Sequence, residues 1–205
     1  METPRKAHWE QVYGNKRPEE VGWYQASPEL SLALIAATGQ GQDARLLDVG
    51  GGASHLVDSL LDRGYHQLTV LDISATALAH ARTRLGARAT QVNWLEADAT
   101  AFDLGYEVDI WHDRAVFHFL IEPSDRAAYI ARLDRHLSLQ GQAIIAAFAP
   151  DGPEHCSNLP VVRYSAEALA ETLGTRFHLI ESHAEQHQTP SGTRQPFLYH
   201  RFCRR

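Results

Sequence analysis

Leu46-Leu47-Asp48-Val49-Gly50-Gly51-Gly52-Ala53-Ser54, followed by Leu71-Asp72-Ile73-Ser74, decides the architecture of this chain. The first stretch reads as a buried strand over 44–49 running into a glycine-rich turn. The second reads as the next strand, over 68–71, ending in an aspartate. Between them, 53–63 has the pattern of a helix that Gly64 stops. Working outward, Ser74 caps a helix to Leu85, and 89–94 and 108–113 read as strands three and four. A helix over 122–137 and a fifth strand over 142–148 complete the series. Short apolar strands separated by amphipathic helices predict an α/β fold with a mostly parallel sheet covered on both faces.

The two ends differ from this core. Residues 5–16 read as a short amphipathic helix, and 17–28 as a loop anchored by Trp23 and Tyr24. Ser27-Pro28-Glu29 then opens a helix through about residue 38, with Ser27 as cap and Pro28 in the first turn. Near the other end, 165–173 reads as a helix closed by Gly174. Two strands, 177–182 and 195–202, follow without a helix between them, which places an antiparallel hairpin on the sheet edge. The organisation expected is one domain over 1–205: a helical and aromatic cap (1–38), a cofactor-binding core (44–148) and a substrate-side region (149–205).

Composition narrows the partners. The 205 residues hold 25 acidic and 19 basic groups, a net charge of −6, and Lys6 and Lys16 are the only lysines. This argues against nucleic acid, whose phosphates call for concentrated Lys and Arg. No run of 18 apolar residues suggests a membrane span. The polar start Met1-Glu2-Thr3-Pro4 does not resemble a signal segment. Cys156 and Cys203 make no disulfide scaffold. These features together point to the cytoplasm; they leave the oligomeric state open.

Glycines at 50, 51 and 52 let the backbone turn sharply and approach a ligand closely, and open α/β sheets bind ligands beyond the carboxyl ends of their strands. Asp48 stands near that end of the first strand, where it can accept from an ammonium group. Asp72 ends the second strand, where a carboxylate grips ribose hydroxyls. Asp98, with Ala99 beside it, follows the third and is placed to meet an adenine. The pattern calls for an adenosine-containing cofactor. A dinucleotide fingerprint lacks its third glycine, since position 55 is His55, and no phosphate loop ending in Gly-Lys-Ser or Gly-Lys-Thr occurs.

These motifs, with Glu96-Ala97-Asp98-Ala99 and Asp109-Ile110-Trp111-His112-Asp113-Arg114, resemble the class I S-adenosylmethionine-dependent methyltransferases over residues 44–148. The resemblance implies a Rossmann-like sandwich with a seven-stranded sheet. It implies S-adenosyl-L-methionine as cofactor, with Asp48 and Gly50 by its methionine part, Asp72 at the ribose, Asp98 and Ala99 at the adenine, and Gly51, Gly52 and Ile73 also binding it. His112 or Asp113 would face the methionine part and the acceptor. Ser54 stands where a third loop glycine is often found. Trp9-Glu10-x-x-Tyr13 and Gly22-Trp23-Tyr24-Gln25 are similar to a subgroup that includes the mitochondrial lysine methyltransferase acting on citrate synthase. That likeness points to a protein lysine as acceptor.

Methyl transfer requires an acceptor held in line with the methyl group and, where necessary, a proton acceptor. His112 and Asp113 are the candidates for that chemistry, and Trp23 and Tyr24 the candidates for a lid over the sulfonium. His118, between two phenylalanines, reads as a packed histidine. The loops at 149–163 and 183–195 lie on the ligand edge, with Arg163, Tyr164 and Arg194 near them, and set acceptor specificity. The acceptor is a protein or a small molecule methylated on O, N or S. A non-catalytic protein that binds the cofactor is the alternative of another class. His155, Cys156, His183 and His187 lack the spacing of a metal site, so no metal is expected.

Overall fold

Alternation along the central strands sorts side chains to two faces, and both faces are buried. Leu46, Ile110 and Ile144 point to one core layer, while Leu47, Trp111 and Ile145 point to the other. The computed structural model describes residues 3–205; Met1 and Glu2, part of the polar start, lie outside the described residues. The chain runs α1 (Pro4–Asn15), α2 (Glu29–Ala37), β1 (Leu46–Val49), α3 (Leu56–Asp62), β2 (Leu68–Asp72), α4 (Ala75–Leu85), β3 (Val92–Glu96) and β4 (Val108–Arg114). It continues through α5 (Pro123–His136), β5 (Leu137–Phe148), β6 (His155–Cys156), β7 (Leu159–Pro160), α6 (Ala166–Leu173), β8 (Phe177–Gln188) and β9 (Arg194–Arg204).

Seven strands form one sheet in the order β3-β2-β1-β4-β5-β9-β8. The first five are parallel to one another, and β9 and β8 add antiparallel at the edge. The fold is the expected Rossmann-like sandwich, with a mostly parallel seven-stranded sheet and a C-terminal antiparallel hairpin. Strand order reverses between β1 and β4, which opens a crevice beyond the carboxyl ends of these strands. Apolar side chains of α2 and α3 cover one face; those of α5 and α6 cover the other. Among the described residues, no helix is long and apolar enough to cross a membrane.

Several local expectations need correction. Ser27 does not cap α2: Pro28 holds the N-cap position without a side-chain bond, and Ser27 Oγ instead donates to Glu29. Strand three starts at Val92, because Gly86–Gln91 forms a 3-10 turn after α4. Most of the 183–195 segment is strand rather than loop, since β8 stays paired with β9 through Gln188 and Arg194. Only 189–193 is left as the turn. The 149–163 segment contains the small β6–β7 hairpin.

Candidate cofactor and acceptor site

Parallel pairing puts Asp48 beside Val70 and His112, so the carboxyl ends of β1, β2 and β4 bring their polar residues together. The glycine turn follows directly. Gly50 takes φ +69°, and a Cβ there would strike Val116; one on Gly51 would strike the Asp48 carboxylate, and one on Gly52 would lie 2.5 Å from Asp72 Oδ2. Glycine is therefore required by sterics as well as by backbone angle.

Two cavities meet at this turn. The first, about 720 Å³, is lined by Leu71, Asp72, Ile73, Asp98, Ala99 and the aromatic rings of Trp9, Tyr13, Trp23 and Phe119. The second, about 560 Å³, is lined by Asp48, Gly50, Gly51, Ser54, Tyr24, Ser31 and His112. Trp23, Tyr13, Gly50 and Arg114 border both.

Asp72 is 6% exposed and accepts from Ser74 N–H at 2.9 Å. Burial, with the Asp48 and Glu10 carboxylates nearby, pushes its carboxyl up to about 7. Asp98 Oδ1 accepts from Thr100 N–H and Oγ1–H. Its two oxygens also accept from one Arg5 nitrogen, Nη1, at 3.2 and 2.9 Å, so helix α1 is tied to the expected adenine acceptor. Trp9 packs edge-on against Trp23 and Phe119 with ring centres 5.6 and 5.0 Å apart, and Trp23 Nε1–H donates to the Tyr13 hydroxyl at 3.1 Å. These contacts roof the first cavity. Position 9 and position 13, one helical turn apart, were the signal for this face.

The strand-four candidates separate. His112 is buried and engaged at both nitrogens: Nδ1 lies 2.7 Å from Asp48 Oδ1, and Nε2 lies 2.9 Å from Ser31 Oγ. A carboxylate only accepts, so Nδ1 carries a proton toward Asp48, while Nε2 is paired with the Ser31 hydroxyl. His112 borders the second cavity, but as the residue that orients Asp48. Asp113 points to the opposite face of the sheet, as strand alternation dictates. There it accepts from the Val116 and Phe117 N–H groups and the Tyr129 hydroxyl. Burial raises its carboxyl to about 6. It lines neither cavity, so the structure gives it a structural anchor's place and not that of a catalytic group. Arg163 is held by Gly152 O and Glu154, and buried Tyr164 packs on Phe117; neither reaches the cavities. Among the described residues, no three His, Cys, Asp or Glu side chains assemble as a metal-ligand set.

Residues 46–141 match the family model described as "Methyltransferase domain". Over these residues the chain is similar to methyltransferase domains. A curated relative, the eEF1A lysine and N-terminal methyltransferase of Danio rerio, is 26% identical over 179 residues, which cover 84% of this chain and 24% of that protein. The chain thus spans about a quarter of that relative's length. Among solved structures, the glycopeptide N-methyltransferase MtfA in complex with S-adenosyl-L-homocysteine superposes with a TM-score of 0.70 at 16% identity, covering 100% of this chain and 99% of that one. The protein solved in work on conversion of a disulfide bond into a thioacetal group during echinomycin biosynthesis reaches 0.78 at 22% identity, covering 97% and 92%. At these identities the two structures speak for the fold.

The residues present suit S-adenosylmethionine, the cofactor that the resemblance implies. Asp48 Oδ2 is a buried carboxylate oxygen without a hydrogen-bond partner, and it borders the second cavity beside the glycine turn. Buried polar atoms are left unpaired at a cost, so an orphan acceptor at a cavity wall marks a place for a ligand donor. In the first cavity, Asp72 offers acceptors to a diol and Ala99 a small apolar wall to a ring.

Proposed function

We propose that this chain is an enzyme that transfers a methyl group from S-adenosylmethionine to the side-chain nitrogen of a protein lysine. The observation that carries the cofactor half is the convergence of Asp48, Asp72 and Asp98, from three strand ends, around one glycine turn. The lysine acceptor is supported by the N-terminal Trp9-Glu10-x-x-Tyr13 pattern and by the lysine-modifying relative. A small-molecule acceptor is the second reading.

When bound, the cofactor supplies an activated methyl on a sulfonium. The chain's own work is then placement. Asp48, held by His112, receives the ammonium; Asp72 receives the ribose hydroxyls, and Ile73, Asp98 and Ala99 enclose the adenine. Trp23 and Tyr24 close the methionine side, and the aromatic faces suit a cation. His112 has no free nitrogen with which to take a proton, so the acceptor amine reaches the cleft neutral or loses its proton to solvent. A cytoplasmic setting fits this reading.

The test is formation of S-adenosylhomocysteine by the purified protein from labelled S-adenosylmethionine, with and without histidine-free lysine peptides, folded proteins and small amines. Acceptor-dependent product supports the enzyme; cofactor binding with no turnover on any acceptor favours the non-catalytic alternative. Asp72→Ala is expected to weaken cofactor binding at least tenfold, since two ribose bonds to a charged acceptor are lost (about 1.5–3 kcal/mol each).

A further inference from the structure

Arg84 lies in the last turn of α4 and borders neither cavity. Its hydrogen bonds go to the segment that follows the glycine turn. Nη1–H donates to Ala53 O at 2.9 Å and Nη2–H to Ser54 O at 2.7 Å. Asp58, in the first turn of α3, accepts from Nε–H at 3.1 Å and from Nη2–H at 2.6 Å. The two side chains are 23% and 17% exposed, and a two-bonded arginine–carboxylate pair is the strong, directional kind. Asp58 therefore fixes the plane of the guanidinium, and that plane fixes two consecutive carbonyls. The approach is close because α4 presents alanine to the turn. Ala77 and Ala81 are fully buried, and a Cβ on Gly52 would lie 3.1 Å from that of Ala77. Arg84 follows Ala77 on the same helix face, two turns on.

Gly51, Ala53 and Ser54 themselves form part of the wall of the second cavity. A peptide is planar, so a carbonyl held from one side fixes the direction of the N–H on the other. With Ala53 O held by Arg84, Ser54 N–H donates to Gly51 O at 2.7 Å, and Ser54 Oγ accepts from Leu56 N–H at 3.1 Å. Gly50 and Gly52 take left-handed angles, and Ser54 does not. The turn thus has a glycine half with little to hold it and a half pinned from α4. Three successive glycines are costly to order, so the pin governs how well defined the turn is before any ligand arrives.

We propose that Arg84 is a positioning residue: by holding the Ala53 and Ser54 carbonyls it sets the glycine turn in its binding shape, so that the ordering is completed on folding and not on binding. Arg84 touches no ligand itself. Under the methyltransferase reading on which this rests, the turn lies by the methionine part of the cofactor, so loss of the pin falls on that end of the ligand.

The test joins amide exchange of the ligand-free full chain to calorimetric titration with S-adenosylhomocysteine and with 5′-methylthioadenosine, which lacks the amino acid end. In the wild-type protein the Ser54 and Leu56 amides are expected to be protected before any ligand is added. Arg84→Gln should speed their exchange and weaken S-adenosylhomocysteine about tenfold, as when one residue's backbone is left to be ordered on binding. Its affinity for 5′-methylthioadenosine should change by less than about threefold. Arg84→Lys, a point charge without the fork, should fall between. Equal losses for the two ligands, or none, would overturn the proposal, because a general loosening of the fold moves both alike. Unprotected Ser54 and Leu56 amides in the ligand-free wild type would overturn it too, and that measurement needs no variant to fold. A wild-type protein that binds neither ligand removes the cofactor reading, and the positioning role with it, even where those amides are protected.

Discussion

At the scale of single residues, the site is built from carboxylates whose surroundings differ. Asp72 and Asp113 both sit above the usual carboxylate range because burial penalises their charged forms. Only Asp72 faces a cavity. A ribose diol donates to an ionised carboxylate better than to a neutral one, so cofactor binding should favour the ionised form. Affinity for S-adenosylhomocysteine is expected to rise as pH goes from about 6 to 8, through the Asp72 value of about 7, by up to about tenfold per unit on the acid side. Asp72→Asn should bind more weakly and lose the slope; calorimetry across that range reads both. Stability runs the other way. Its contribution from Asp72 is complete below about 3.8 and is lost as pH rises through about 7.

At the scale of elements, α1 is the part whose position matters most to the site. It is strapped by Arg5 to Asp98 and Asp125, by Lys6 to Glu96, and by Glu10 to the start of α4. Glu10 accepts from Ser74 Oγ and from the Ala75 and Thr76 N–H groups, so one side chain serves several exposed donors of that helix end. Burial raises its carboxyl, but the bonds from Thr76, Ala75 and Ser74 outweigh this and hold it below the usual value. The ion pairs of Arg5 and Lys6 are partly solvated and worth little singly; Glu10 has the better geometry. Glu10→Ala is expected to cost about 1 kcal/mol, as loss of a helix cap does. It should also speed amide exchange over 4–15 and cofactor release, with the sheet amides unchanged. Exchange measured by mass spectrometry checks the first effect, and stopped-flow displacement the second.

At the scale of the whole molecule, pH acts on stability through buried groups of both kinds. His118 is fully buried between Phe119 and Phe148, and neither ring nitrogen has a partner. Burial, then the charge of Arg114, lowers it to about 3, so its contribution is complete above about 6.5 and is lost as pH falls toward 3. The buried aspartates gain over much of that interval. His118→Leu removes an unsatisfied polar ring at small change in volume. It is expected to raise stability by about 1–3 kcal/mol, more at pH 5 than at pH 7.5. Urea unfolding at the two values reads the difference, and equal or lower stability at pH 5 would count against the packing account.

The order of strands and helices was legible in the sequence because it depends on local patterns: apolar runs of strand length, a glycine turn, and an aspartate at or just past the end of each of the first three strands. Those patterns also placed Asp48, Asp72 and Asp98 at one edge, since parallel strands joined by helices put like ends together. The lengths of β5, β8 and β9 were less legible, because pairing with a neighbour extends a strand past its apolar segment. What only the tertiary structure decided is which polar groups are spoken for. His112 and Asp113 are adjacent, and the pleat sends one toward the cofactor cavity and the other to the far face. Ser31 and Asp48, from separate elements, consume both nitrogens of His112. Arg114 is held by Tyr199, Trp23 and Glu185, none of which is near it in sequence. Availability of a buried donor or acceptor is a property of its three-dimensional neighbours, so residue type and spacing announce the site while long-range packing assigns the roles within it.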